Sequence, residues 1–497
     1  MQAVLRKRLP LLLLLLIIGA WLRVYGLNIH SLWFDETFSQ RVVSLFDPIS
    51  LFQNGVAGDV HPPLYFALLW LWVQFVGESV VALRMLSVLI ALLALPACYH
   101  LARLLFNERA ALLALILAVF APYQVYYAQE TRQYALSFTA LAWAGVGLAA
   151  IWRGKRYGWL LYVIGALVSL YTHYICGLTL AVLHLWLLAY PPMRAKWRLW
   201  LSADVLIALL YLPQAFTFLS QTGAVFGGFW IPPPNALAPV FSAGYLIFAV
   251  VFPVALIPIG VVAVWLLLAV NAIDMRQARQ GSVRAAWLFC LIAVFGTLIA
   301  ALIVSLRAPI YSERSFGMVA PFMVVALAGA VACAPRRLPA RLLYTALIVI
   351  CLGGLIAHYT PPDLLRPPFR EIAADLRALP DPERVPILYL HDGAYLPMTY
   401  YTPDLLANAR LIFTEARSWL YPRTWEMLGI KRYSRAEIAA WLATYQGALR
   451  VVYYGGTLPE EEATLRDLLA RCPVQRELTY PPFVIFYEVF CDVQSDG

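Results

Sequence analysis

Two adjacent carboxylates, Asp35 and Glu36, stand just beyond the first long apolar run of the chain, Leu9 to Leu27, in the quartet Trp33-Phe34-Asp35-Glu36. Acids at a membrane border are costly unless they work, so they mark functional sites by default. Two further polar motifs follow at similar borders: His61-Pro62-Pro63-Leu64-Tyr65 and Tyr127-Ala128-Gln129-Glu130-Thr131-Arg132-Gln133-Tyr134. Carboxylates so placed hold a hard cation through oxygen, or act on a substrate in a water-facing cavity. The competing reading of Asp35 and Glu36 is helix capping, since acids favour helix amino termini and Thr37-Phe38-Ser39 can begin an amphipathic helix. For Glu130 it is a structural salt bridge to an arginine.

The elements that must position these residues are membrane helices. An apolar content of 62%, a charged content of 13% and a mean hydropathy of +0.72 exceed what a soluble domain carries. The net charge of +9 would suggest nucleic acid in a soluble protein. Here most arginines punctuate apolar runs, where positive charge orients helices, and no nucleic-acid partner is expected. Leu9 to Leu27 follows Arg6-Lys7-Arg8 without a cleavage pattern, and is read as a retained first helix.

With the amino terminus placed in the cytoplasm, a single alternation of sides over about eleven spans puts every basic connector inside. These connectors are Arg103 to Arg109, Arg153 to Arg156, Arg194 to Arg198, Arg276 to Arg284 and Arg336 to Arg341. The opposite face then holds Asp35-Glu36, His61, Glu130 with Arg132, His173-Tyr174, the Gln221 to Asn235 loop and Arg307 to Arg314. Leu64 to Gly77 must not cross for this to hold, and is expected to be re-entrant or interfacial. Leu237 to Val270, with Pro253 and Pro258, is long for one crossing and reads as a kinked span or as a span plus an interfacial helix.

Residues 1–359 are thus expected to form a membrane domain and residues 360–497 a soluble extracytoplasmic α/β domain. Pro361-Pro362 and Pro367-Pro368 mark the linker. Arg370 to Leu379, Arg435 to Tyr445 and Glu460 to Arg471 have helical patterns. Val385 to Leu390, Leu411 to Thr414, Leu449 to Tyr454 and Phe483 to Phe490 look like strands. Of seven cysteines, five lie in or beside apolar segments. Cys472 and Cys491 flank a terminal hairpin, where an external compartment would let them pair.

In this order and at these borders, the motifs resemble those of the GT-C glycosyltransferases, in the bacterial branch related to protein O-mannosyltransferases and to aminoarabinose transferases acting on lipid A. The resemblance runs from about Leu9 to Ser315. It is carried by Trp33-Phe34-Asp35-Glu36, His61-Pro62-Pro63-Leu64-Tyr65, Gly77-Glu78-Ser79 to Arg84, and Glu130-Thr131-Arg132-Gln133-Tyr134. It implies a GT-C-like membrane fold with interfacial helices, and transfer of a sugar from a polyprenyl-phosphate donor on the extracytoplasmic side. The acceptor class stays open between lipid, protein and polysaccharide.

By this resemblance Asp35 is the base of a single inverting displacement, Glu36 positions it or the acceptor, and Glu130 matches the second acidic position. Departure of a lipid phosphate calls for cations, and Arg132, Arg307, Arg314, Arg84 and His61 are the candidates on that face. For the arginines the competing reading is snorkelling to lipid headgroups. Tyr65, Tyr134, His173, Tyr174 and Tyr311 are candidates for the cavity wall. Glu130 and Tyr134 are expected to share a helix face at i,i+4, with Arg132 pointing elsewhere.

No cofactor is required by this reading. The seven histidines are scattered without zinc spacing, although Asp35 and Glu130 can hold a divalent cation. No glycine-rich phosphate loop is present, which fits a lipid-linked donor. The alternatives are a transporter or flippase for a sugar or lipid-linked substrate, and a membrane scaffold whose external domain binds a partner. A transporter would carry charges near mid-span and paired halves, whereas these charges gather at one end of the spans and no internal repeat is found.

Overall fold

The computed structural model describes residues 2–54, 59–226, 231–249, 257–277, 281–334, 337–360, 366–413, 424–455, 459–481 and 484–491. Two compact units emerge: Met1–Leu27 with Pro48–Val56 and Val60–Pro361, and Asn28–Asp47 with Ala57–Asp59 and Pro362–Gly497.

The first unit is helical. Among the described residues, six helices are long and apolar enough to cross a membrane: Val80–Leu105, Tyr134–Trp152, Trp197–Gly223, Gly281–Ser305, Glu313–Cys333 and Leu338–Tyr359. The pair Glu108–Phe120 and Pro122–Ala128, bent by 54°, adds a seventh if counted as one span. Leu64–Val76, Tyr157–Leu170, Ile175–Ala189, Ala238–Phe248 and Pro258–Ile273 are apolar but shorter. The chain is a multi-pass membrane protein.

Burial sorts these helices into inner and outer ones. Tyr134–Trp152 and Glu313–Cys333 are buried nearly all round, as helices at the centre of a bundle are. Trp197–Gly223 instead exposes Leu206, Leu209, Leu210 and Phe216, an apolar face suited to lipid.

Close packing at the centre depends on small residues. Gly147 and Gly165 let the Tyr134–Trp152 and Tyr157–Leu170 backbones touch: a Cβ on Gly147 would lie 2.5 Å from the Tyr162 nitrogen, and one on Gly165 would lie 2.6 Å from the Ala144 nitrogen. Small residues at such contacts let dispersion forces replace the missing hydrophobic drive between membrane helices.

Leu64–Val76 has 13 residues, about 20 Å of helix at ~1.5 Å per residue, against ~30 Å of hydrocarbon. It folds back onto the next helix through Gly77, whose φ of +76° favours glycine. Ser79 then caps Val80–Leu105 by accepting the Ala82 N–H at 3.3 Å, and Trp72 Nε1 donates to the Ala82 carbonyl at 2.8 Å. The Leu237 to Val270 region holds two helices, Ala238–Phe248 and Ile257–Gln277; Pro253 falls outside the described residues.

The second unit contains a six-stranded sheet. Its strands are β1 (Ile387–Tyr389), β2 (Ala409–Phe413), β3 (Arg432–Ser434), β4 (Gly447–Tyr454), β5 (Val474–Tyr480) and β6 (Val484–Cys491), in the order β3-β2-β1-β4-β6-β5. The first four run parallel; β6 is antiparallel to β4, and β5 to β6. All three residues of β1 are buried, as expected of a central parallel strand. Leu388, Leu390, Ile412, Ile438, Leu449, Val451, Leu468 and Val489 form the core. Ser434 and Glu437 close a capping box at the start of Arg435–Thr444. Cys472 and Cys491 form a disulfide beside the β5–β6 hairpin.

Four strand expectations and three helix expectations have counterparts here, except that residues 414 and 483 and the linker 361–365 lie outside the described residues. The β5–β6 hairpin lies where Cys472 and Cys491 were expected to flank one. The strand β3 and the helix Asp392–Tyr401 were not foreseen: β3 has only 3 residues, and the helix contains Pro397. The segment Asn28–Asp47, which the sequence reading leaves with the membrane part, groups with the sheet unit. Its helix Phe34–Leu45 packs on Asp392–Tyr401.

Candidate active site

In the second unit, Trp33 occupies the N-cap of the helix Phe34–Leu45 without a side-chain cap bond, and Asp35 and Glu36 fall in the first turn. They are not N-caps; they sit where the helix dipole favours negative charge. Asp35 is 8% exposed and Glu36 fully buried, as are Thr37 and Ser39. The hydroxyls turn inward on their own helix. Ser39 Oγ donates to the Asp35 carbonyl at 3.0 Å, and Thr37 Oγ1 bonds the Trp33 and Phe34 carbonyls at 3.0 Å.

The other candidates lie in the first unit. Residues 129–133 form a tight turn between Pro122–Ala128 and Tyr134–Trp152, with the Glu130 carbonyl accepting the Arg132 N–H at 2.8 Å. This corrects one expectation. Glu130 precedes the helix rather than belonging to it, so Glu130 and Tyr134 do not share a helix face at i,i+4. The turn is deeply buried: Glu130, Thr131 and Gln133 are inaccessible and Arg132 is 4% exposed.

Two of the motifs and the His173 turn meet here. The Arg132 guanidinium lies over the Phe66 ring, 5.8 Å from its centroid, one residue beyond His61-Pro62-Pro63-Leu64-Tyr65. The His61 and His173 rings meet edge to face at 5.0 Å, and the Leu64 N–H donates to the Tyr171 carbonyl at 3.2 Å. His173 Nδ1 accepts the Ile175 N–H at 3.3 Å, which leaves the proton of a neutral ring on Nε2. Tyr65 is buried and its hydroxyl bonds Ser87 Oγ at 2.8 Å.

Tyr134 belongs to a buried tyrosine cluster. Its ring is 4.9 Å from that of Tyr127, whose hydroxyl bonds that of Tyr245 at 2.6 Å. Tyr123 continues the cluster and donates to the Arg314 carbonyl at 3.0 Å. Gly317 makes room for Tyr123, since a Cβ there would collide with the phenol ring. Tyr311 bonds Ser242 at 2.9 Å.

Other candidates bond to further elements. Arg84 is buried and Nη1 donates to the Leu27 carbonyl at 2.7 Å, a bond from the helix Val80–Leu105 to the turn that follows the helix Gln2–Val24. Tyr174 turns toward Trp197–Phe226, bonding Gln214 at 3.0 Å and Gln221. Arg307 is exposed, and among the described residues no side-chain bond links it to the cluster. Among the described residues no three His, Cys, Asp or Glu side chains are grouped to hold a metal. Part of the Gln221 to Asn235 loop, residues 227–230, lies outside them.

The family model for dolichyl-phosphate-mannose-protein mannosyltransferases matches residues 60–216, the stretch that carries His61, Glu130, Arg132 and His173. ArnT from Cupriavidus metallidurans in the apo state is similar over 97% of this chain and 98% of its own, at 13% identity and a TM-score of 0.59. ArnT of the same organism bound to undecaprenyl phosphate is similar over 96% and 98%, at 14% identity and a TM-score of 0.57. The chain has the fold of these ArnT structures. An Archaeoglobus fulgidus oligosaccharyltransferase tethered to an acceptor peptide is similar in fold over 92% of this chain and 74% of its own, at 12% identity and a TM-score of 0.50. No curated protein matched by sequence.

Sequence reasoning overlooked the residues that hold the Glu130 turn. Gln129 Nε2 donates to the Arg23 and Tyr25 carbonyls at 3.0 and 2.7 Å, with Leu22 at 3.3 Å, while Oε1 pairs with His358 Nε2 at 2.8 Å. An uncharged amide inside a motif full of charges gives no sequence signal for such anchoring. Arg23 was missed too. It donates from Nη2 to the Ala118 carbonyl at 2.9 Å. That carbonyl has no helical donor because the residue four positions on is Pro122.

Proposed function

We propose that this chain moves a sugar from a polyprenyl-phosphate carrier to an acceptor hydroxyl or amine on the extracytoplasmic side of the membrane. The observation that carries the reading is the fold shared with ArnT bound to undecaprenyl phosphate, over nearly the full length of both chains. In the proposed reaction the acceptor heteroatom attacks the anomeric carbon, the bond from that carbon to the phosphate oxygen breaks, and polyprenyl phosphate leaves with the electron pair. Asp35 takes the acceptor's proton, and the sugar inverts.

A phosphate needs little activation to leave, so the protein chiefly supplies a base and fixed positive charge. Arg132 is the first choice for that charge: its planar guanidinium is buried, where charge-assisted bonds to phosphate are strongest. His61 and Arg314 are assigned to the same task, and Glu130 to holding the acceptor. In this reading the amino terminus is cytoplasmic and the sheet unit extracytoplasmic, supported by the basic connectors on the other side. The sugar is left to experiment, since pocket shape selects it.

The test is transfer of radiolabelled sugar from a panel of polyprenyl-phosphate sugars in membranes carrying wild-type chain or Asp35→Asn. Loss of the base is expected to slow transfer by about 10²- to 10⁴-fold with expression unchanged. Wild-type transfer by Asp35→Asn overturns Asp35 as base.

A further inference from the structure

Asp35 rides on a helix of 12 residues, too short to persist alone in water. Its N-cap, Trp33, adds no side-chain bond. Something else must hold it still, and the bonds that do so come from the far end of the chain.

On the approach to the helix, Arg370 donates from Nη1 to the Asn28 carbonyl at 3.1 Å and from Nη2 to Asn28 Oδ1 at 2.9 Å. The Arg370 N–H donates to Ser31 Oγ at 3.0 Å, and Ser31 donates in turn to Glu371 Oε2 at 3.4 Å. The Leu32 N–H, three residues before Asp35, donates to the Tyr401 hydroxyl at 2.7 Å. On the second turn of the helix, Arg41 gives two N–H groups to the Leu428 carbonyl, at 3.1 and 3.0 Å, across a separation of 387 residues. Leu428 is presented by a turn at Gly429, with φ +69°. The helix is thus fastened on both sides of Asp35, to groups of its own compact unit.

We propose that the carboxyl-terminal sheet unit is the mount of the catalytic base, with Tyr401, Arg370 and Arg41 as positioning residues that hold the Phe34–Leu45 helix for turnover. The proposal rests on the reading of Asp35 as base. It gives the sheet unit a part in the chemical step, whichever acceptor is used. A misplacement of about 1 Å at a reacting group costs on the order of 10²-fold in rate, so a loosened mount acts on kcat.

The experiment uses the full-length chain in membranes or detergent, with Tyr401→Phe, Arg41→Ala and Arg41→Lys. Tyr401→Phe removes one oxygen and leaves the ring packing. Expected are a fall in kcat of about tenfold to a hundredfold with the donor KM unchanged, and partial recovery in Arg41→Lys, which keeps one donor. Hydrogen–deuterium exchange is expected to speed up over residues 32–45 while β4 and β6 stay protected, which also shows that the variants are folded. Undiminished kcat, or unchanged exchange over residues 32–45, in both Tyr401→Phe and Arg41→Ala overturns the proposal. Asp35→Asn is measured beside them. Full transfer by Asp35→Asn removes the base reading and this proposal together, whereas its loss of transfer alongside fully active mount variants removes this proposal alone.

Discussion

Gln129 shows how an uncharged side chain sets where charged ones stand. Its amide reaches the last carbonyls of the first helix and His358, and the turn that follows carries Glu130 and Arg132. Buried charges need such fixed surroundings, since a loose one would draw in water or lose its partner. Exposed pairs behave differently. Arg377 meets Asp404 at 2.6 and 3.0 Å on the surface of the sheet unit, and these bonds lower the Asp404 pKa below 3.8. A carboxyl with a depressed folded pKa stabilises above its unfolded pKa, and the gain is lost as pH falls through the folded value. Because both partners are about two-fifths exposed, solvent screening keeps the pair within about 1 kcal/mol. Asp404→Asn should therefore lower the melting temperature slightly at pH 7 and converge with wild type as the pH falls through the depressed Asp404 pKa, as followed by thermal unfolding on an acid series.

At the scale of elements, helix geometry follows from where backbone groups lose or regain partners. The break between Glu108–Phe120 and Pro122–Ala128 is placed by a proline that cannot donate, and Arg23 satisfies the carbonyl so exposed. The neighbouring contact between Tyr134–Trp152 and Tyr157–Leu170 depends on the absence of side chains. Gly165→Leu would drive atoms into the Ala144 backbone and should destabilise the helix pair by about 1–3 kcal/mol or more, read as a lower melting temperature of the detergent-solubilised protein. Gly154→Ala is the informative contrast. Nothing lies near its Cβ, so only the φ of +76° resists, and a smaller loss is expected. Much of this scale was legible in the sequence, because long apolar runs and their basic connectors report helices directly. The Glu130 turn was not: a motif that continues an apolar run looks helical until the chain is seen to fold sharply at residues 129–133.

For the molecule as a whole, the chain alternates between its two units before it commits to either. It leaves the first after Leu27, builds Phe34–Leu45 in the second, and returns. The second unit is closed near its end by the Cys472–Cys491 disulfide, 19 residues apart. A loop of that size restricts the unfolded chain by about 3 kcal/mol. Cys472→Ser with Cys491→Ser should lower the unfolding midpoint of the sheet unit by that order, and a reductant should do the same to wild type but not to the double variant. Differential scanning of the purified full chain with and without reductant checks this.

What the sequence determined by itself is local or compositional: a multi-pass membrane protein, the positions of its apolar helices, a terminal α/β unit, and three polar motifs worth testing. Hydrophobic runs, breakers and charge bias act over tens of residues, so they can be read without a fold. Tertiary structure alone decided that Arg132 meets the ring beside the His61 motif, that His61 meets His173, and that Tyr401 and Leu428 hold the helix of Asp35. Those contacts join residues from dozens to hundreds of positions apart. They exist because packing brings distant carbonyls, rings and amides within bonding range, a condition that no local pattern encodes.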